Sequence, residues 1–202
     1  MKLKIFLLMI TVLPLISCSL KPVKMPEVST YTLSSRPRHV IKALRTRKTL
    51  LVSQPTASPG YQSARMIYVN KPYQLKSFGR NAWVAAPADM LAPLLVQTLR
   101  DTHHFNAVVS PPFTGITDLR MDVHLLTMQQ EFISETRSQM HIALQVNLLN
   151  NVSNKIIGSH RYEIAMPARN GDPYGGVIAA NKATAKLLAK IAEFVVKNTR
   201  RV

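Results

Sequence analysis

The chain has 202 residues, with 26 lysines and arginines against 10 acidic residues and a single cysteine. Its length suits one domain with one substantial core. One cysteine excludes an intrachain disulfide, so packing has to stabilise the fold. The formal net charge of +16 predicts an anionic partner, which could be a lipid headgroup surface, an acidic protein or a nucleic acid.

The first 17 residues have the pattern of a secretory signal peptide. Lys2 and Lys4 precede an apolar run that is too short to span a membrane, because a spanning helix needs about 20 residues. Leu15-Ile16-Ser17-Cys18 follows and resembles a lipobox. We expect diacylglycerol on the Cys18 sulfur, cleavage before Cys18 and acylation of its amino group, since several acyl chains give stable anchoring. The alternative is an ordinary signal peptide with a chance cysteine.

Residues 18–30 are predicted to form an extended tether, because Pro22 and Pro26 interrupt them and apolar periodicity is missing. The exported chain would carry a charge of +14, which is +16 less the two lysines of the signal peptide. Export makes a nucleic acid the poorest of the three partners. Ser19, rather than an aspartate, follows the cysteine, which in many Gram-negative bacteria permits sorting to the outer membrane.

The first half of the folded domain is predicted to contain four short strands and a helix. The strands are Tyr31–Leu33, Thr49–Ser53, Ala64–Asn70 and Tyr73–Phe78, and the last two form a hairpin. The helix begins near Pro87 with Asp89 in its first turn. Its core stripe is Met90, Leu91, Leu94, Leu95, Thr98 and Leu99. Pro93 lies within the helix and should kink it or delay its start.

The second half is predicted to contain four more strands and a long helix. The strands are Phe105–Ser110, Asp118–Leu126, Gln139–Leu149 and Lys155–Ile164. The last two form a hairpin, and burying both apolar faces requires Leu148 near Ile156 and Leu144 near His160. The helix runs from about residue 176 to 198. Its lysines, which lie opposite the core stripe, are Lys182, Lys186, Lys190 and Lys197.

The densest basic stretch of the chain is Arg36–Lys48, which contains six lysines and arginines. It could contact lipid headgroups or an acidic partner. Such a run is more often a solvated connector, and the sequence leaves both interpretations open.

The sequence carries no complete catalytic, cofactor or metal motif. Gly175-Gly176 precedes a helix but lacks the rest of a nucleotide-binding fingerprint. Beyond Cys18 there is no thiol for a nucleophile or a zinc site. A Ser-His-Asp triad assembles in space and stays open at this point, although nothing resembles a nucleophile elbow. We therefore predict a protein that is not an enzyme and has no cofactor.

The histidines do not form a metal pattern either. His103 and His104 are adjacent, so they do not share a helical face. His160 falls on the core face of the hairpin and His141 on the polar face, and His160 is predicted to be a core histidine. Asp122 and His124 share a strand face, a spacing that is more typical of an ion pair than of a metal site.

Several short segments, in this order and behind a lipobox, resemble the family of ABC-type transport auxiliary lipoproteins. These segments are Tyr31-Thr32-Leu33, Pro59-Gly60-Tyr61, Arg65-Met66-Ile67-Tyr68, Phe78, Trp83–Pro87, Met90-Leu91, Asp118-Leu119-Arg120 and Ala179-Ala180-Asn181. The resemblance extends from about Tyr31 to Val196. It departs from the family at Pro93 and in the basic stretch.

The resemblance implies an α/β fold: a single compact domain, with a mixed β-sheet and two main helices, similar to the N-terminal domain of TolB. It implies a lipid-anchored protein of the Gram-negative outer membrane that faces the periplasm and serves an MCE-type lipid transport system. The implied partners are an MCE protein, an ABC permease and its ATPase, with a homo-oligomer as a further expectation. No catalytic residues come with the family, so Cys18 is the one functional position that it transfers, and residues 31–202 are expected to form the domain.

Two other functions stay open on sequence. One is a lipid carrier that holds an acyl chain in its own cavity. The other is a module that binds peptidoglycan or lipopolysaccharide, which the basic charge would suit.

Overall fold

The computed structural model of the chain describes residues 27–200. Cys18, the predicted signal peptide and most of the predicted tether lie outside these residues. The domain that follows can be compared directly with the predicted elements.

Nine strands and two α-helices form within residues 27–200. The strands are β1 (Ser29–Tyr31), β2 (Thr49–Val52), β3 (Thr56–Ala57), β4 (Arg65–Val69), β5 (Lys76–Trp83), β6 (Ala107–Val109), β7 (Leu119–Phe132), β8 (Ser138–Asn150) and β9 (Ile156–Ala168). The helices are α1 (Pro87–Asp101) and α2 (Pro173–Thr199), and a 3₁₀ turn covers Pro59–Tyr61. All strands belong to one sheet with parallel and antiparallel pairs. The predicted mixed α/β domain with two main helices is therefore confirmed.

β7 organises the sheet because it is long enough to pair with several strands in turn. Along one edge it pairs with β8, and β8 pairs with β9, both antiparallel. Along the other edge β2, β3 and β4 pair with it in succession, all parallel. β6 extends the sheet beyond β2, while β5 and then β1 extend it beyond β4.

Both helices pack on one face of the sheet, where alternate residues of the long strands meet the apolar stripes of α1 and α2. Leu125 and Leu144 from the sheet and Leu95 and Leu188 from the helices are at most 1% exposed. The predicted stripe of α1 is buried throughout. The stripe that the same periodicity predicts for α2 is buried except for the half-buried Phe194, and it consists of Val177, Ala180, Thr184, Leu187, Leu188, Ile191, Phe194 and Val195. Among the described residues no helix covers the opposite face, which we call the open face.

The alternation of β7 changes at a β-bulge that the sequence pattern did not predict. Leu125 pairs with Leu144, and the next paired residue is Thr127, so Leu126 is left without a partner on β8. Before the bulge odd-numbered residues point to the core, and after it Met128 and Gln130 do so. The strand therefore continues to Phe132, six residues beyond the predicted end.

The predicted register of the β8–β9 hairpin is wrong by two residues. Leu144 lies opposite Tyr162 and Leu148 opposite Gly158, so the same faces meet but each pair is displaced. Gly158 lies beneath α2, where a Cβ atom would be 3.0 Å from Cζ of Phe194. A residue without a side chain fits there, and a second bulge beside Leu148 then adjusts the turn.

Two smaller predictions are also corrected. The first strand is Ser29–Tyr31 rather than Tyr31–Leu33, because the chain leaves the sheet after Tyr31 and the Leu33 amide reaches the sulfur of Met90 (3.5 Å). Pro93 does not delay α1, which begins at Pro87 and continues through it. Pro93 and Asp89 are both exposed, so water can bind the Asp89 carbonyl that lacks a helical donor.

Candidate functional site

The open face is lined by polar side chains of β7, β8 and β9. Those that hydrogen-bond to one another or to a neighbouring segment are Arg120, Asp122, His124, Gln129, Glu131, Gln139, His141, Gln145, Asn147, Ser159, Arg161 and Glu163. These residues point away from the helices because they alternate with the core positions of the same strands. The open face is thus a polar surface of the sheet whose side chains are largely paired with one another.

His141 lies between two carboxylates on the open face. Its Nδ1 is 3.0 Å from Oε1 of Glu131, and its Nε2 is 2.8 Å from Oε1 of Glu163. Arg161 also donates to Glu163 at 3.2 Å. Both ring nitrogens of His141 are therefore engaged, which leaves neither of them free to bind a metal ion.

The two carboxylates of this cluster are held in their charged form. Burial alone would raise the pKa of Glu131, but hydrogen bonds from Gln139 (3.0 Å) and Gln129 (2.8 Å) and the charge of His141 lower it. The pKa of Glu163 is lowered first by its hydrogen bond to His141 and then by the charges of His141 and Arg161. The Glu131–His141–Glu163 cluster therefore joins β7, β8 and β9 through charge-assisted hydrogen bonds.

Asp122 and His124 share a strand face as predicted, but they do not form the predicted ion pair within the described residues. Asp122 accepts from the Ser53 hydroxyl (2.6 Å) and pairs with Arg120 (3.2 Å). His124 contacts the hydroxyls of Thr56 at Nδ1 (2.7 Å) and Ser58 at Nε2 (3.2 Å). No Ser-His-Asp triad assembles here, because the segment beside β7 supplies each of the two groups with its own hydroxyl partner.

His160 is not a core residue, in contrast to the prediction. It is exposed on the edge strand β9, and its ring packs against Tyr162 (4.4 Å between centroids) and Phe194 (6.1 Å). His104 is the buried histidine, and its Nδ1 is 2.6 Å from the Leu44 carbonyl. His103, next to it, ends α1 with a positive φ of 53°.

Two features bear on metal binding and on membrane crossing. Among residues 27–200, no group of three or more His, Cys, Asp and Glu side chains could hold a metal ion. In the same part of the chain, neither helix combines the length and apolarity needed to traverse a bilayer.

Comparison with known proteins gives the family. A model of the ABC-type transport auxiliary lipoprotein component matches residues 31–192. The chain belongs to this family. Its members are auxiliary lipoproteins, not a family of enzymes, and the predicted resemblance is confirmed.

Two solved structures share the fold of this auxiliary lipoprotein. A DUF330 protein from Xanthomonas campestris has a TM-score of 0.76 at 18% identity and covers 86% of this chain and 98% of its own. An uncharacterized protein has a TM-score of 0.67 at 16% identity, with 84% and 99% covered. A search of curated proteins finds no significant match.

The Glu131–His141–Glu163 cluster was missed by the sequence analysis. The predicted strand ended at Leu126, so Glu131 was not placed in the sheet at all. The signal that could have found it is a second alternating run after the bulge, in which Met128 and Gln130 face inward and Gln129 and Glu131 outward. Cys18, the predicted lipidation site, lies outside the described residues and stays a prediction.

Proposed function

We propose that this protein is a lipid-anchored auxiliary subunit that docks the periplasmic end of an MCE-type lipid transport assembly. The observation that carries the proposal is the family match over residues 31–192. In the proposal, residues 1–17 are removed, Cys18 is acylated, and residues 18–30 tether the domain to the outer membrane. The choice of the outer membrane is supported by Ser19, which follows the cysteine where an aspartate is absent.

The open face supports a binding role over a catalytic one. Its charged groups pair mainly with one another, as His141 does with Glu131 and Glu163, and these three residues line an open hollow of about 240 Å³, not an enclosed cleft. A rigid sheet with hydrogen-bonded polar side chains suits recognition, because an interface need not be more apolar than the surface around it. We assign the docking of the transport partner to this face.

The N-terminal segment supports the orientation of that face. Residues 31–35 pack against α2 on the helix side of the sheet, where Asn181 contacts the backbone of Thr32, Ser34 and Ser35. The chain that leaves β1 therefore runs along the helix side. The open face, on the other side of the sheet, is not covered by this segment, and we assign it to a partner that reaches across the periplasm.

The anchor is tested by mass spectrometry of the protein extracted from membranes. We expect the mature chain to begin at Cys18 with acyl chains attached, and Cys18→Ser to yield a folded domain that is released from the membrane. A chain that begins elsewhere, or an unmodified cysteine, would contradict the anchor.

Sorting to the outer membrane is tested by membrane fractionation of Ser19→Asp. This change should move the protein to the inner membrane, and unchanged fractionation would contradict the sorting to the outer membrane.

Docking is tested by co-purification of the lipidated protein from its own envelope. We expect an MCE-type protein to be recovered with it, and Gln145→Arg on the open face to lower that recovery. Lys71→Ala, a change in the exposed turn between β4 and β5, is the control and should leave the recovery unchanged. Recovery of unrelated envelope proteins alone would contradict the proposal.

The lipid-carrier alternative gains less support from the structure. A carrier needs an internal cavity, whereas one continuous apolar cluster from both helices and the sheet occupies the interior. Mass spectrometry of gently purified protein distinguishes the two, since the docking proposal expects a lipid-free domain apart from acyl chains on Cys18.

A further inference from the structure

A groove of about 480 Å³ runs between residues 35–38 and α2. Its apolar part is formed by Met166 of β9 and by Ala185 and Ala189 of α2. Its rim is basic and consists of Arg36, Arg38, Lys182 and Lys186. We call this feature the α2 groove.

The charge of the α2 groove is uncompensated. None of its lining residues is acidic. Arg36 pairs with Asp101, but Arg38, Lys182 and Lys186 form no ion pair within residues 27–200 and are exposed. The groove therefore presents three free cations beside an apolar floor, which is the chemistry that recognises an anionic amphiphile.

The N-terminal segment passes directly beside this groove. The ring of Tyr31 lies 6.0 Å from that of Tyr174 in the first turn of α2. Farther along the helix, Asn181 accepts hydrogen bonds from the amides of Ser34 (2.9 Å) and Ser35 (3.1 Å). Since Lys182 follows Asn181, the chain arrives at the rim of the groove within a few residues of leaving β1.

The length of the predicted tether keeps the domain close to the membrane. Cys18 lies eleven positions before Ser29, so the chain between them spans at most roughly 36–40 Å when fully extended. A tether of this length holds the whole domain, the α2 groove included, at high effective concentration near the lipid headgroups. Lys21 and Lys24 add two positive charges to this part of the sequence.

We propose that the α2 groove binds the headgroups of anionic phospholipids and thereby seats the helix side of the domain on the bilayer. The cations contact the phosphates, while the aliphatic stems of the arginines and lysines and the Met166–Ala185–Ala189 floor meet the glycerol and upper acyl region. The bilayer is the occupant favoured over an acidic protein because the proposed anchor holds the domain beside it and because the groove combines cations with an apolar floor. The proposal rests on the proposed lipid anchor for location, but the chemistry of the groove does not depend on acylation.

The test measures sedimentation of the mature chain carrying Cys18→Ala with vesicles. We expect binding to an equal mixture of phosphatidylcholine and phosphatidylglycerol, and none to phosphatidylcholine alone. Lys182→Ala/Lys186→Ala should lower the partition coefficient about 30-fold, since each lysine near an anionic surface contributes a factor of about five. Alanine is a good helix former, so the variant should keep its fold, which circular dichroism verifies.

The control is Lys71→Ala/Lys155→Ala, which removes the same charge from two exposed turns and should leave the partition nearly unchanged. An equal loss in both double variants would show that net charge acts without a defined site, and would overturn the proposal. Absent binding, equal binding to neutral vesicles, or displacement by inorganic phosphate at constant ionic strength would overturn it as well. Because Cys18 carries no lipid in this assay, each of these failures leaves the proposed anchor and docking role untouched.

Discussion

Gly176 is the residue that allows a buried amide to reach the start of α2. The side chain of Gln130 is fully buried, and its Nε2 donates to Oγ of Ser138 (2.8 Å) and to the Asp172 carbonyl (3.0 Å). A Cβ atom on residue 176 would lie 2.2 Å from Oε1 of Gln130. Gly176, which belongs to the pair that resembled an incomplete nucleotide motif, is thus explained by packing against Gln130.

Gly176→Ala is expected to lower the free energy of unfolding by about 1–3 kcal/mol, the usual cost of overpacking a core. The loss should appear even though alanine favours an α-helix over glycine by about 1 kcal/mol. Urea denaturation measures it. Gly79→Ala is the control, because nothing lies within 4 Å of a Cβ atom at that position. Equal stability of the two variants would show that Gln130 can move aside.

The carboxylates beside His141 predict how stability depends on pH. Their pKa values in the folded protein lie below the ordinary value of 4.5, for Glu131 despite its burial and for Glu163 chiefly through the hydrogen bond to His141. On acidification the unfolded chain therefore binds protons first. This contribution to stability is complete above pH 4.5 and is lost as the pH falls below it.

Urea denaturation between pH about 6 and 3 checks this dependence. We expect the free energy of unfolding to fall with decreasing pH, and Glu131→Gln/Glu163→Gln to make the decline shallower. Glu135→Gln, in the exposed β7–β8 loop, is the matched control and should keep the slope of the unaltered protein. A slope that is the same in all three proteins would contradict the role of the cluster.

At the level of elements, periodicity within one segment predicted which face of a helix or strand is buried. It did not predict which residues of two strands pair with each other. The stripe of α1 and the alternation over Leu119–Leu125 follow from periodicity in a single run, and both are buried as expected. The two-residue error between β8 and β9 arose because alternation fixes which face is buried but not which residues are opposite. The position of a β-bulge depends on the strand with which the segment pairs, so it cannot be predicted from the sequence of one strand alone.

The bulge in β7 leads to a prediction for a deletion. Removing Leu126 would let Thr127 follow Leu125 in a regular strand, so Met128 and Gln130 would still face the core. We expect this variant to keep a cooperative thermal transition, as followed by circular dichroism. Deletion of the fully buried Val146, which pairs with β7 and β9 without a bulge, should abolish the transition because residues on one side of the deletion would change face. An equal loss in both deletions would contradict the assignment of Leu126 as an extra residue.

For the whole molecule, composition predicted an anionic partner but not the place where it binds. Arg38 and Lys186 lie far apart in sequence and meet at the α2 groove only because the segment after β1 crosses α2. The clusters of the open face have the same origin, since Ser53 reaches Asp122 through pairing beside β7. Such sites follow from topology, which local patterns do not specify.

The resulting arrangement gives the two sides of the sheet different tasks. The helix side carries the α2 groove and the segment that follows β1, and we place it against the membrane. We place the transport partner on the open face, which in this proposal points away from the membrane. Both assignments are proposals about one orientation, so they can be tested together in cells.

The most direct measurement is site-specific photocrosslinking in living cells. A photoreactive residue replaces either Gln145 on the open face or Ala185 in the α2 groove of the lipidated protein. We predict that the probe at position 145 crosslinks to the MCE-type protein, whereas the probe at position 185 crosslinks to phospholipid and not to that protein. Capture of the MCE-type protein from position 185, or from neither position, would contradict the account.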